Sequence, residues 1–414
     1  MMSSPAATRT PLSRAQWIAL LLLVFSVFIN YVDRGNLSVA APPLKTELDL
    51  SPEQLGLLLS GFFWTYAAFQ LFGLAGWLVD RFDAGLVYAI GYLLWSGATA
   101  ATGLVRGFVA LFALRLILGM GESVAYPAYS KLLSGHFPEH HRGLANALID
   151  MGSKLGPALG TLMGGVLIAR FGWRPFFIVL GLVSLAWLAP WMRWMPRGQG
   201  AAATHPHGGP SIGQILRHRS AWGTFGGLFC GNYVWYFLLT WLPSYMVMER
   251  HFSMDKMAAF GSIAYLAIGL SAAFNGWLSD RWIAAGGTPT RVRKTFTSLG
   301  LSLATIILPV AMVKSESLAM WLLMAGCVGF GLFSSNHWAI TQTLSGPVAA
   351  GRWTSLQNGV GNLAGVTAPW LTGLVVARTG SFLLAFGVAA AVSLAGACFY
   401  LFVIGPVREV RWDE

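Results

Sequence analysis

Apolar runs long enough to cross a lipid bilayer follow one another along almost the whole chain, broken only by short polar punctuation. About 20 largely apolar residues in a helix span the hydrocarbon layer. A backbone in lipid must satisfy its own amides, so each run reads as a transmembrane helix. The breaks place helices near residues 15–40, 53–79, 85–105, 108–135, 141–169, 174–195, 219–249, 255–283, 292–313, 316–342, 353–377 and 381–404. Charged residues make up only 10% of the 414, where a soluble domain carries about 25%. Twelve crossings use up the length, and no sizeable soluble domain fits beside them. The expected fold is an all-α membrane protein of twelve transmembrane helices in two six-helix halves.

The polar N-terminus up to Gln16, followed by an apolar stretch from Trp17, has the outline of a secretory leader. Asp33 and Arg34 interrupt that stretch and apolar segments continue to Ile404, so the first segment reads as a retained helix. Cys230, Cys327 and Cys398 each lie in an apolar run without CxxC or His spacing, which predicts packing residues rather than disulfides or a metal site. The net charge of +11 is spread between the apolar segments instead of along one exposed stripe, pointing to membrane topology and away from nucleic acid. With both termini in the cytoplasm, most Lys and Arg of the tails and loops fall on the cytoplasmic side, Arg81, Arg142, Arg193, Arg281, Arg293 and Arg352 among them. The positive-inside rule selects this orientation, and a cell inner membrane is the expected location.

The longest gap runs from Pro196 to Arg219. Its Gly198-Gln199-Gly200, His205-Pro206-His207 and Gly208-Gly209-Pro210 cannot pack a core. Residues 196–218 therefore read as a cytoplasmic linker between an N-terminal six-helix bundle, 1–195, and a C-terminal one, 219–414. The halves also repeat. Gly76-Trp77-Leu78-Val79-Asp80-Arg81 returns as Gly276-Trp277-Leu278-Ser279-Asp280-Arg281, and Leu167-Ile168-Ala169-Arg170 is echoed by Val375-Val376-Ala377-Arg378, each at matching helix ends. Parallel six-helix repeats joined in this way resemble the major facilitator architecture, whose substrate site lies near the midplane between the halves.

The acids well inside predicted helices are Asp33, Glu122 and Asp150, and the bases are Arg34, Arg115, Lys131 and Lys154. A charge at the bilayer centre costs about 3 kcal/mol or more, so each is expected to face a cavity or a partner. Asn30, Asp33 and Arg34 share one flank of the first helix, while Arg115 and Glu122 lie seven apart, about 10 Å along one face of the fourth. An acid beside an arginine is held ionised, whereas burial favours its neutral form, so hydration or an arriving anion can tip the balance. Once the acid takes a proton, the arginine is available to a carboxylate, which its planar fork holds through two hydrogen bonds. A purely structural ion pair is the alternative. Tyr31, Tyr66 and Gln70, and then Asn232, Tyr236, Asn336, His337, Gln342, Asn358 and Asn362, are the polar and aromatic residues expected around such a cavity. Each also suits interhelical hydrogen bonding.

The stretches Asn30-Tyr31-Val32-Asp33-Arg34-Gly35-Asn36-Leu37-Ser38 and Arg115-Leu116-Ile117-Leu118-Gly119-Met120-Gly121-Glu122-Ser123 are distinctive. With Gly346-Pro347 followed by Gly351-Arg352-Trp353-Thr354-Ser355-Leu356-Gln357-Asn358, they resemble the anion:cation symporter family of the major facilitators. That family includes bacterial galactonate, glucarate, hexuronate and phthalate transporters and the animal sialic-acid and vesicular glutamate transporters. The resemblance implies Asp33 and Glu122 as proton-coupling acids, Arg34 as the group meeting the substrate carboxylate, and Tyr31, Tyr66 and Asn362 as lining a sugar-acid site. It also implies that Arg115 pairs with or relays to Glu122. Protons are then the coupling ion, without a further cofactor, and a monomer in the bilayer takes a small organic anion as its partner. Two departures stand out: Asp80-Arg81-Phe82-Asp83-Ala84-Gly85 lacks the further basic residues usual in that loop, and the Asp150 and Lys154 pair is foreign to the sugar-acid members.

A proton-driven efflux antiporter is the second reading, carried by Gly152-Ser153-Lys154-Leu155-Gly156-Pro157-Ala158-Leu159-Gly160, although two inward arginines repel cationic drugs. A membrane enzyme finds little support, since Gly209-Pro210-Ser211-Ile212-Gly213 matches GxSxG only within the linker. Asn36-Leu37-Ser38 matches a glycosylation sequon inside the first helix, where no glycan can be attached.

Overall fold

The computed structural model describes residues 12–137, 139–195 and 210–412, with a few side chains, those of Asp80, Asp150 and Lys154 among them, outside the described set. The expected Asp150–Lys154 pair therefore lies outside the described residues.

Helix α1 (Arg14–Glu47) makes the first crossing. The second combines α2 (Pro52–Leu71) and α3 (Leu74–Arg81), and the third is α4 (Ala84–Thr102). The fourth combines α5 (Phe108–Ser123) and α6 (Ala125–His136), and the fifth is α7 (Glu139–Phe171). The sixth combines α8 (Trp173–Leu185) and α9 (Leu188–Trp194). A short α10 (Ile212–Arg217) leads into α11 (Arg219–Ser244), α12 (Met254–Ala284) and α13 (Pro289–Ala304) with α14 (Ile307–Met312). Then come α15 (Glu316–Gly346), α16 (Arg352–Thr379) and α17 (Leu383–Cys398).

Local chemistry explains where these elements begin and break. Ser13 and Ser51 accept from the amides of Gln16 and Gln54 while those glutamine side chains accept from the serine amides, so α1 and α2 both start on a capping box. Between α15 and α16, Gly346 sits at φ +58° and ψ −179°, a conformation that essentially only glycine adopts. Ser211 is a cap as well: it accepts from Gln214 N at 3.2 Å and starts α10. The stretch 212–217, expected as part of a structureless linker, is thus helical, and the GxSxG match is a helix start.

Among the described residues nine spans are apolar enough to cross a bilayer on composition alone. The remaining crossings, α2 with α3, α7 and α11, each pack on a helix of the other half: α2 meets α16, α7 meets α12 and α11 meets α1. Facing protein instead of lipid, they need less hydrocarbon. Buried Tyr233, Tyr236 and Thr240 on α11 show the substitution.

The crossings alternate between a face carrying the linker and the opposite face. On the linker face Gln16 Nε2 reaches His136 O at 2.6 Å, Arg352 donates to Pro210 O at 2.7 Å, and Arg293 bridges Asp280 of the repeated motif at 3.3 Å. On the opposite face Arg174 pairs with Glu47 at 2.9 Å and caps Val105 O at 2.6 Å. The halves approach most closely toward that opposite face. A Cβ on Gly56 of α2 would lie 2.8 Å from Pro369 O of α16, and one on Gly373 would lie 2.6 Å from Pro52 O, so backbone touches backbone there.

Candidate functional site

Adjacent positions on an α-helix point about 100° apart, and Asp33 and Arg34 serve different neighbours. Arg34 turns to α5, where its Nε donates to Glu122 Oε2 at 3.0 Å in an ion pair whose side chains are 3% and 0% exposed. Asp33 turns to α4, its Oδ1 accepting from Thr99 Oγ1 at 3.0 Å and from Asn36 Nδ2 at 3.0 Å. The expected arrangement of an acid beside an arginine thus forms across helices for Arg34 and Glu122. It does not form for Asp33, which has no arginine bonded to it among the described residues.

Arg115 comes within electrostatic reach of Glu122 and of Asp33. It makes no ion pair with Glu122, although both lie on α5; its guanidinium stands 5.5 Å from the centre of the Phe62 ring. Two helical turns separate the pair along the axis, and Arg34 arrives from the facing helix at bonding distance instead. Phe62 sits between the arginines, its ring 5.1 Å from the Arg34 guanidinium. The position follows from a close approach of α2 and α5: a Cβ on Gly119 would lie 2.0 Å from Phe62 O. Thr65 Oγ1 to Leu116 O at 2.6 Å and Gln70 Nε2 to Ser123 O at 2.8 Å tie the same helices. Gln70 is therefore engaged in holding α5.

Tyr31 and Tyr66 complete the wall around Arg34, with ring centres 4.7 and 4.8 Å from its guanidinium. The electron-rich faces of three rings attract the cation and keep it from water. Tyr31 OH lies 3.1 Å from Tyr126 OH. Across the interface, Tyr236 of α11 packs its ring 4.3 Å from Phe63 and comes within electrostatic reach of Arg34. Tyr236 OH donates to Asn362 Oδ1 at 2.7 Å, and Asn362 Nδ2 donates to Asn358 Oδ1 at 3.1 Å. Asn232 belongs to the same group, its Nδ2 3.0 Å from where a Cβ on Gly361 would stand. Asn232, Tyr236, Asn358 and Asn362 thus form a polar wall opposite the Arg34–Glu122 pair.

Other expected residues stand elsewhere. Asn336 is buried but accepts from Arg293 at 3.1 Å on the linker side, which makes it part of the Asp280–Arg293 network rather than of this wall. His337 stacks on Phe333, with ring centres 4.9 Å apart, and Gln342 is exposed. Lys131 Nζ donates to Val79 O at 2.6 Å and ties α6 to α3. Sequence reasoning missed Phe62, Asn36, Thr99 and Tyr126. Phe62 had a signal in its spacing of four from Tyr66 on one helix face; Thr99 had none.

Two acids and two arginines are buried together, with exposures of 0% for Asp33 and Glu122, 5% for Arg34 and 4% for Arg115. Fully ionised, the four sum to zero. An uncompensated charge in such a place costs several kcal/mol, so protonation of either acid creates a positive excess that a bound anion offsets.

The model of the Major Facilitator Superfamily matches residues 23–369. The chain is 28% identical to the "Probable galactarate/D-glucarate transporter GarP" of Escherichia coli strain K12, over 96% of this chain and 97% of that one. It is 31% identical to the "Probable sulfoacetate transporter SauU" of Cupriavidus necator, over 92% of each. Its fold matches the crystal structure of a bacterial homolog of the human lysosomal transporter Spinster with a TM-score of 0.80, at 17% identity and over 95% and 97% of the two chains. The twelve crossings, the repeated halves and these matches together place the chain in the major facilitator superfamily of membrane transporters.

Proposed function

We propose that this transporter is a proton-coupled symporter that imports a small organic anion, a carboxylate such as a sugar acid or other monocarboxylate, by alternating access. It lies in the inner membrane with both termini in the cytoplasm. The observation that carries the reading is the buried Arg34–Glu122 bond at 3.0 Å, facing a polar wall on the other half. An incoming carboxylate competes with Glu122 for the Arg34 guanidinium. Glu122 gives way when it is neutral, and the proton it takes replaces the charge balance it had supplied. Arg115 supplies a second positive field, held apart by Phe62. Because a partly loaded site buries an unbalanced charge, reorientation of the halves is favoured only when protons and anion are both bound or both absent.

The curated relatives are named for transport of sugar diacids and of a sulfonated acetate. Anions with those head groups suit a guanidinium ringed by aromatic faces. The test is uptake into proteoliposomes with the outside acidified, across a panel of sugar acids, aromatic acids, sulfonates and short monocarboxylates. Accumulation of one labelled acid above its equilibrium level supports import. Loss of preloaded acid under the same gradient identifies the efflux antiporter instead.

A further inference from the structure

Asp33 takes no part in the Arg34–Glu122 pair, and its carboxylate closes one end of a column of hydroxyls inside the N-terminal bundle. Tyr88, Tyr92, Ser96 and Thr99 recur on α4 at helical spacing and stack along about 16 Å of one face. All four are fully buried. At one end Thr99 bonds Asp33 Oδ1 at 3.0 Å. At the other, toward the linker face, Tyr88 OH donates to Ser26 Oγ at 2.6 Å and lies 2.8 Å from Tyr129 OH of α6.

The middle of the column is different. Between Asp33 Oδ2 and Tyr92, the buried Asn36 Oδ1 and Trp95 Nε1 have no hydrogen-bond partner in the protein, and Tyr92 OH and Ser96 Oγ, close enough to interact, form no hydrogen bond of normal geometry. Ser184 of α8 adds one more hydroxyl beside Tyr92. The surrounding indoles show what a satisfied group looks like here: Trp187 Nε1 donates to Leu22 O and Trp191 Nε1 to Gly85 O, each at 3.0 Å. Folded proteins pair the great majority of buried polar atoms, and where side chains leave a run of them open, internal water bridges them.

We propose that a chain of bound water fills this column and carries protons between Asp33 and the Tyr88–Ser26–Tyr129 cluster, apart from the route taken by the anion. The transfer balances: as the Asp33 carboxyl O–H breaks, a water O–H forms. Each hydroxyl passes one proton on and receives one from behind, and the last of them, in the Tyr88–Ser26–Tyr129 cluster, hands its proton to water reached from the linker face, so the net change is a carboxylate at Asp33 and one proton in that water. The charged and titratable groups facing that carboxyl are Glu122 and Arg115 of α5 and Tyr92 of α4. A separate route lets Asp33 exchange its proton while an anion occupies Arg34.

The relay rests on the proton coupling proposed above; the hydration of the column does not, and two measurements keep them apart. Radiolytic hydroxyl-radical footprinting in ¹⁸O-water labels buried side chains that touch bound water. Tyr92 and Trp95 are expected to be labelled faster than Trp241 and Trp353, whose indoles bond Pro369 O and Thr224 Oγ1; equal rates overturn the water chain. In proteoliposomes the double variant Tyr92→Phe with Ser96→Ala keeps the aromatic packing. It is expected to lower the rate of pH-driven uptake about tenfold while exchange of internal for external substrate stays within about twofold. Unchanged uptake, or equal loss of both activities, overturns the relay. A wild-type protein without pH-driven uptake removes the relay together with proton coupling, and footprinting then decides the water chain by itself.

Discussion

Arg34 of α1 and Glu122 of α5 meet at 3.0 Å inside the N-terminal bundle, and among the described residues theirs is the only ion pair formed by the four buried charges at this level, Asp33 and Arg115 standing apart from it. Substrate binding, proton binding and stability all draw on this one contact, so its two members give separable effects.

Replacing Glu122 by Gln keeps the shape and removes the charge. Anion binding is expected to survive and to lose part of its dependence on pH, pH-driven uptake to vanish, and exchange to continue. Asp33→Asn leaves the Arg34–Glu122 pair intact, so it is expected to abolish pH-driven uptake with little change in affinity. Paired uptake and exchange assays in proteoliposomes check both; pH-driven uptake at wild-type rates in both variants would remove these acids from the mechanism.

Arg34→Lys retains a positive charge without the planar fork. Anion affinity is expected to drop about tenfold, or about 1.4 kcal/mol, by calorimetry. Arg34→Ala leaves Glu122 buried and unpaired, which costs about 3–5 kcal/mol, so the ligand-free protein should melt lower. Adding Glu122→Gln to it should restore the melting temperature and leave binding absent, a split that a merely structural arginine would not produce.

Phe62 separates two guanidiniums and faces both, at 5.1 and 5.5 Å. Phe62→Leu is expected to keep the fold while giving up cation–π attraction of about 1–2 kcal/mol, seen as a several-fold weaker anion affinity. Phe62→Ala opens a cavity as well, and a loss of about 3–5 kcal/mol in stability follows. Thermal unfolding with and without substrate distinguishes the two.

Gly56 and Gly373 let the halves touch on the face opposite the linker. Gly56→Leu has no room in this arrangement and is expected to shift the population toward states open on that face. Thiol labelling of a reporter cysteine placed near Pro52 measures it, after removal of the exposed Cys398. Unaltered labelling would mean that the seam does not seal the face.

Much of the fold was legible because lipid is an unforgiving solvent: apolar length marks the crossings, and a charge inside one is conspicuous. The facing of each charge was not. Whether Asp33 or Arg34 looks toward the interface depends on the rotation of α1, which no spacing within α1 reveals, and Thr99 is an ordinary residue until α4 brings it beside Asp33. Spacing alone treats Asn336 and Asn362 alike, and the family resemblance singles out only Asn362; packing sends one to Arg293 and the other to Tyr236. Ser211 looked like a chance motif and proved to be a cap, because capping is read from the residue three positions on, Gln214.

The central claim is that anion and proton binding balance the charge of one buried cluster. Linkage makes the effect reciprocal: if protonation favours the anion, affinity rises as pH falls, and the anion draws protons onto the protein. The direct measurement is proton uptake, followed with an indicator dye in weakly buffered detergent solution, as a transported acid is added near neutral pH. The account predicts net proton uptake that Asp33→Asn and Glu122→Gln each reduce and that the double variant abolishes. Saturating anion binding with no proton taken up, or uptake that persists in the double variant, would contradict it.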